Sequence, residues 1–147
     1  MIVQIRKASI EDSGFFFELR NEREAIKNSF KKNKIKFLNH SRWYKNKLKE
    51  KNAVFLVGLT KRSQKIGIVR YETKKRLTYV SINISKEYRG LNYGSKILKK
   101  SEKFLKKKTI IISRIKKINK ASFKIFIKNH YDVIEKINNY LLLIKIV

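Results

Sequence analysis

The sequence predicts an α+β domain in which about four helices flank a sheet of about seven strands. Three observations carry that expectation. Residues 53–59, 65–72 and 77–84 are strand patterns separated by short polar turns, as in an antiparallel meander. Residues 81–104 pass from an alternating strand through a basic, glycine-containing loop into a helix with the apolar face Tyr93, Ile97, Ser101 and Phe104. Residues 132–136 and 140–147 are two closing strands around the hairpin turn Asn138-Asn139.

The other elements follow in chain order. Residues 3–6 alternate and form a first strand. Ser9 or Asp12 caps the next helix, with Glu11 and Asp12 complementing its dipole. Phe15, Leu19, Ile26 and Phe30 share a helical stripe expected to face the core, interrupted by Glu22, and Asn21 is a candidate break into two helices. Residues 31–36 are a basic connector. A further helix starts with Asn39 or Ser41 as N-cap. His40 and Trp43, three apart, share its face; taken singly, Trp43 reads as core and His40 as a surface residue. Residues 109–113 are a buried-type strand, and 119–122 open a last helix with the stripe Ser122/Phe123, Phe126/Ile127 and His130. No repeat or linker divides residues 1–147, so one domain is expected.

Hydrophobic content of 42% and aromatic content of 12% exclude a disordered chain. There is no cysteine, hence no disulfide or thiolate metal site, and 2 histidines are too few for a metal cluster. The N-terminus lacks a signal-peptide core and no apolar run approaches membrane-spanning length, so a cytoplasmic protein without a membrane partner is expected. The net charge of +27 admits nucleic-acid binding. Composition offers a plainer source: 29 Lys against 9 Arg, with 21 Ile, 12 Asn and no Pro, is what an AT-rich genome yields, and the lysines spread over every segment. Residues 103–131, without a single acidic residue, suit either a polyanionic ligand or a solvated face.

The candidate site is the strand–loop–helix passage. Gly90 and Gly94 are two of the 5 glycines in the chain. A helix start presents N–H groups without internal partners, and glycine lets an anion approach the backbone. Arg89 adds a permanent charge. Arg89, Gly90, Leu91, Asn92, Tyr93, Gly94 and Ser95 are therefore phosphate-site candidates, and an ordinary strand–turn–helix connection is the alternative.

This loop resembles the acetyl-CoA loop of the GCN5-related N-acetyltransferases (GNAT), Gln/Arg-x-x-Gly-x-Gly/Ala, with Asn92 at the middle glycine. Asn readily adopts positive φ. The predicted element order matches that fold over essentially the whole chain. The resemblance implies a mixed, mostly antiparallel sheet splayed between strands four and five, with acetyl-CoA as acetyl donor, its pantetheine arm in the notch, and no metal. Backbone N–H groups near Ile82 and Ile84 are implied to polarise the thioester. The pattern Asn-x-x-Ser/Ala, aromatic, Lys-x-Gly-Phe is met by Asn119, Ser122, Phe126, Lys128, His130 and Tyr131. Asn119, Ser122 and Lys128 are thereby cofactor-side residues. His130 replaces the glycine that ends the helix, so Asn129 or His130 must take the left-handed conformation. Phe126 replaces the frequent tyrosine general acid, and that role does not transfer.

Within the family, Arg6-Lys7-Ala8, Leu19-Arg20-Asn21, Ile35, His40-x-x-Trp43 and Ile66-Gly67-Ile68-Val69-Arg70 resemble the enzymes that acetylate UDP-linked amino sugars in pseudaminic acid biosynthesis. Ribosomal-protein N-terminal acetyltransferases share part of the set. The first resemblance implies a UDP-amino sugar as partner, bound by Arg20, Asn21, His40, Trp43 and Arg70. Direct transfer is implied, since no cysteine exists to carry an acetyl group. His40, titrating near neutrality, and Glu72, at the end of the third strand, are the candidate bases. Two other classes stay open: a peptide- or ribosome-directed acetyltransferase, and a non-catalytic module that binds CoA or nucleic acid. A homodimer is an allowed assembly.

If codon bias explains the charge, RNA binding is weak, unselective and lost steeply with salt. A gel-shift series from about 50 to 200 mM salt checks this; a sequence-selective complex persisting at the upper end overturns it.

Overall fold

In the computed structural model, which describes residues 1–147, seven strands form one sheet in the order β1-β2-β3-β4-β5-β7-β6. The strands are β1 (Val3–Lys7), β2 (Ala53–Thr60), β3 (Lys65–Lys74), β4 (Leu77–Ile84), β5 (Ile110–Lys116), β6 (Asp132–Ile137) and β7 (Tyr140–Ile146). The helices are α1 (Ser13–Asn21), α2 (Arg23–Asn28), α3 (Phe37–Lys49), α4 (Tyr93–Ser101) and α5 (Lys120–Lys128). The first four strands are antiparallel neighbours in chain order, so the meander forms as its tight turns require.

Strand β2 shows why its sequence is apolar throughout. Its side chains alternate between faces, and both faces are covered. Phe55 and Val57 pack with Phe16, Leu19, Tyr44 and Ile68 beneath α1 and α3. Leu56 belongs to the opposite cluster, with Val69, Tyr71, Ile97, Leu98 and Phe126 beneath α4 and α5. Gly58 permits the close approach of α4, because a methyl there would lie 2.6 Å from Ile97 Cδ1.

The sheet is not continuous along its middle. Strands β4 and β5 run parallel and pair only at Leu77↔Ile110, Thr78↔Ile111 and Tyr79↔Ile112. Beyond Tyr79, β4 stays with β3 as far as Ile84. Over its length β5 stays with β7. The strands therefore part.

A buried carboxylate joins three segments near the N-terminus. Asp12, 1% exposed, accepts from Arg6 Nη1 at 2.7 Å, Arg6 Nη2 at 2.9 Å and the Ser9 N–H at 2.8 Å, and pairs with Lys65 Nζ at 2.8 Å. Burial alone would raise its pKa; the bonds from Arg6, Lys65 and Ser9 outweigh that and hold it well below the usual carboxylate range.

Several details differ from the sequence expectation. There are five helices because the chain is extended at Glu22 (φ −61°, ψ 143°), one residue after Asn21, dividing α1 from α2. The stripe rotates with that break: Phe16 and Leu19 are buried, Phe15 and Ile26 are half-buried, and Phe30 is 43% exposed. Helix α3 starts at Phe37 with Lys36 as N-cap, ahead of Asn39 and Ser41, neither of which caps it. His40 is buried instead of lying on the surface. His130 is exposed; it ends α5 at φ +65° in the left-handed region, so it does not continue the apolar stripe.

Asp12→Asn should cost about 2–3 kcal/mol, less than for a fully buried pair because Arg6 and Lys65 reach water. A carboxyl with a depressed folded pKa stabilises above its unfolded pKa, about 4, and that stability is lost as pH falls. Acid-unfolding curves should therefore converge for wild type and variant below about pH 4; a constant gap at every pH would overturn the assignment.

Candidate functional site

Two cavities open where β4 and β5 part. One, of about 670 Å³, lies toward the loop before α4 and toward α5. The other, of about 560 Å³, lies toward α1, the segment after α2, and α3. They share Ala25, Asn28, Ile82, Asn83, Asn119 and Ser122, so the parted strands form the passage between them. The Ser85 N–H donates to Ile66 O at 2.8 Å, which fixes the alternation of the β3–β4 ladder. By that alternation the N–H groups of Ile82 and Ile84 point away from β3, toward the gap.

The first cavity is bounded by the loop that the sequence singled out. Gly90 lies at φ +73° with open space where a Cβ would stand. Asn92 lies at φ +65°, the N-cap position of α4, and its Oδ1 accepts from Lys128 Nζ at 2.9 Å. Asn92 thus supplies the conformation otherwise left to glycine and ties the loop to α5. Gly94 has a different reason to be small: a methyl there would lie 2.5 Å from Ile125 Cδ1, so it serves the α4–α5 contact. Asn129 closes that contact, donating to Ser95 Oγ at 3.0 Å and Ile125 O at 2.8 Å. The Arg89 guanidinium is engaged internally, with Nε donating to Ile84 O at 2.9 Å and Nη2 paired with Glu22. It positions the loop before it offers charge. Of the expected cofactor residues, all of 89–95 except Leu91 line this cavity, together with Ile82, Ile84, Asn119, Ser122 and Lys128. Leu91 is 51% exposed and lies outside it.

The second cavity gathers Arg20, His40, Trp43 and Arg70. Arg70 projects from β3, with Nε donating to Ser81 Oγ at 3.0 Å and its guanidinium 5.3 Å from the Trp43 ring centre. That contact fixes the guanidinium plane. Arg20 Nη2 donates to Lys31 O at 2.9 Å, while its Nη1 is buried without a partner. His40 is 2% exposed and packs on Trp43 and Tyr44, and its Nδ1 also lacks a partner. Burial, then the positive charges of Arg70 and Arg20, push His40 down to about 4, so its ring is neutral at physiological pH. None of the 11 acidic residues lines this cavity, and Arg20, Arg70 and Arg114 in its wall have no carboxylate partner.

Two expected site residues stand elsewhere. Asn21 pins the connector, with Nδ2 donating to Ile35 O at 2.9 Å and Oδ1 accepting from the Ile35 N–H at 3.0 Å. Glu72 lies outside both cavities, paired with Lys47 at 2.9 Å. Phe126 lines the second cavity, its ring centre 4.9 Å from that of Tyr131. Sequence reasoning missed Ser81, Asn83 and Arg114. Period-two alternation from Arg70 and its β4 partners would have marked Ser81 and Asn83; Arg114 needed the β4–β5 register.

Neither a protein-family model nor a curated protein sequence matches the chain. Solved structures do. Spermidine N-acetyltransferase from Vibrio cholerae, in complex with CoA and spermine, superposes with a TM-score of 0.85 at 14% identity, covering 98% of this chain and 95% of that one. An acetyltransferase of the GNAT family from Streptococcus pneumoniae gives 0.75 at 16% identity over 99% of both chains. An aminoglycoside acetyltransferase in complex with coenzyme A gives 0.80 at 9% identity over 99% of this chain and 95% of that one.

The chain has the GNAT fold. The parallel pairing of β4 and β5 and their early parting agree with the splay that the sequence resemblance implies. At these identities the GNAT likeness carries architecture, and the side chains of the two cavities stand on their own geometry.

His40→Phe keeps a flat ring in the same packing and removes the titration. The folded pKa, about 4, lies below the unfolded value, so the unfolded chain takes up the proton first as pH falls. Wild-type Tm should therefore drop by a few degrees more than that of the variant between about pH 6.5 and 4. Parallel Tm curves would show that His40 is not held neutral.

Proposed function

We propose that this chain is an acetyl-CoA-dependent N-acetyltransferase whose acceptor is the amine of a UDP-linked amino sugar. One observation carries the acceptor: a cavity beside the strand gap that holds three guanidiniums and no carboxylate. Two of the structural neighbours named above are a spermidine and an aminoglycoside acetyltransferase. A polycation would meet only repulsion here, whereas a diphosphate would meet Arg20 and Arg70. Trp43 and His40 add the flat, largely apolar wall that suits a sugar or nucleobase ring.

The first cavity fits the donor. The α4 N-terminus, opened by Gly90 and Asn92, offers N–H groups to a pyrophosphate, with Lys124 and Lys128 alongside. Acetyl-CoA supplies the activated acetyl group when bound. The Ile82 and Ile84 N–H groups face the gap and serve as donors to an oxygen that gains negative charge.

The proton inventory shapes the mechanism. Glu72 is spent on Lys47, and His40, held near 4, is a weak base at pH 7. Nearby guanidiniums instead lower the pKa of the acceptor ammonium itself, raising the share of free amine that can attack. Phe126 offers no hydroxyl to the leaving sulfur. As the amine nitrogen bonds to the acetyl carbon and the carbon–sulfur bond breaks, water in the open cavity would therefore take up the amine proton and supply one to the thiolate.

Purified protein should release thiol from acetyl-CoA with UDP-amino sugars and not with polyamines or peptides. Arg70→Gln should raise KM for the sugar nucleotide about 10- to 100-fold and change KM for acetyl-CoA less than about twofold. Thiol release with polyamine or peptide, and none with any amino sugar, would refute the acceptor.

A further inference from the structure

Beyond the expected acceptor residues, the far wall of the second cavity is also built for an anion. Tyr79 and Ile112 are the last paired residues of β4 and β5. Ser81, which holds Arg70, lies two residues past Tyr79, and Arg114 lies two past Ile112. Period-two alternation puts Arg70 and Arg114 on the same sheet face, across the opening gap. Arg114 is braced: its guanidinium lies 4.5 Å from the ring centre of Phe30 and 5.1 Å from that of Tyr140, and those rings meet edge to face at 5.4 Å. Behind it, also on this face, is Lys116, 5% exposed. Its ammonium has no carboxylate within pairing distance; it donates to Lys27 O at 3.3 Å and lies 5.7 Å from the Phe30 ring centre. Lys116 thus adds a second cation without a carboxylate partner behind Arg114.

We propose that Arg114, braced by Phe30 and Tyr140 and backed by Lys116, is the second jaw of an anion clamp facing Arg70, and that the clamp takes the phosphate groups of the acceptor. The inference rests on the acceptor reading above and assigns a specificity role to residues on the opposite strand. A diphosphate bridges the two jaws, and the amine is left to point along the gap toward Ile82 and Asn83. Phe30 lies in the segment between α2 and α3, so the brace also ties that segment over the bound phosphates.

Calorimetry with UDP, inorganic pyrophosphate and uridine tests the clamp on the whole chain. UDP and pyrophosphate should bind, and uridine should bind at least tenfold more weakly than UDP. Arg114→Gln should weaken UDP about 10- to 100-fold, with acetyl-CoA affinity and Tm unchanged. Phe30→Leu, which keeps every charge and removes a brace, should weaken UDP by a smaller factor in the same direction. UDP affinity unchanged in Arg114→Gln, or no better than that of uridine in wild type, overturns the clamp. The two readings fail separately. Arg114-dependent UDP binding without acetylation of any amino sugar supports the clamp and sinks the acceptor assignment. Acetylation of an amino sugar with KM unchanged in Arg114→Gln sinks the clamp and leaves the acceptor standing.

Discussion

The site depends on a backbone constraint: main-chain groups that leave a ladder must find other partners. Beyond Tyr79, β4 has β3 on one side and no strand on the other. Its outward N–H groups, those of Ile82 and Ile84 among them, face a gap wide enough to join two cavities. A continuous sheet would have used those groups and left no passage. Both cavities lie along that opening: the α4 loop and α5 border one, the cationic wall the other.

The distribution of charge is more informative than its sum. With 38 basic and 11 acidic residues, exposed lysines need no special account. The acids are another matter, because several have structural duties. Asp12 joins β1, the start of α1 and β3. Glu22 holds the Arg89 loop, Glu72 holds Lys47, and Glu102 holds Lys145. None is spent on Arg20, Arg70 or Arg114. The excess of cations that composition supplies is thus left uncompensated in the second cavity, where it has a consequence.

Local patterns were legible in the sequence. The bounds of β4 follow from alternation and turn chemistry, and the positive φ of Asn92 follows from the side chain itself. Non-local facts were not. The burial of His40 depends on α1 packing over α3, which no window around His40 reveals. Asn21 and Glu72 look free in sequence because Ile35 and Lys47, their partners, come from segments 14 and 25 residues away. Arg114 has no local mark at all: its place opposite Arg70 exists only once β5 is laid parallel to β4.

The way the cations in and behind the second cavity are satisfied has one further effect. Arg20 and Lys116 rest on main-chain oxygens, of Lys31 and Lys27, and Arg70 rests on a hydroxyl. These are neutral dipoles, weaker partners than carboxylates. An anion entering the cavity has no internal counter-ion to displace, so its affinity is not reduced by breaking an ion pair first. Occupancy then follows ligand concentration directly, and competition comes from other small anions in solution, with none from the protein itself.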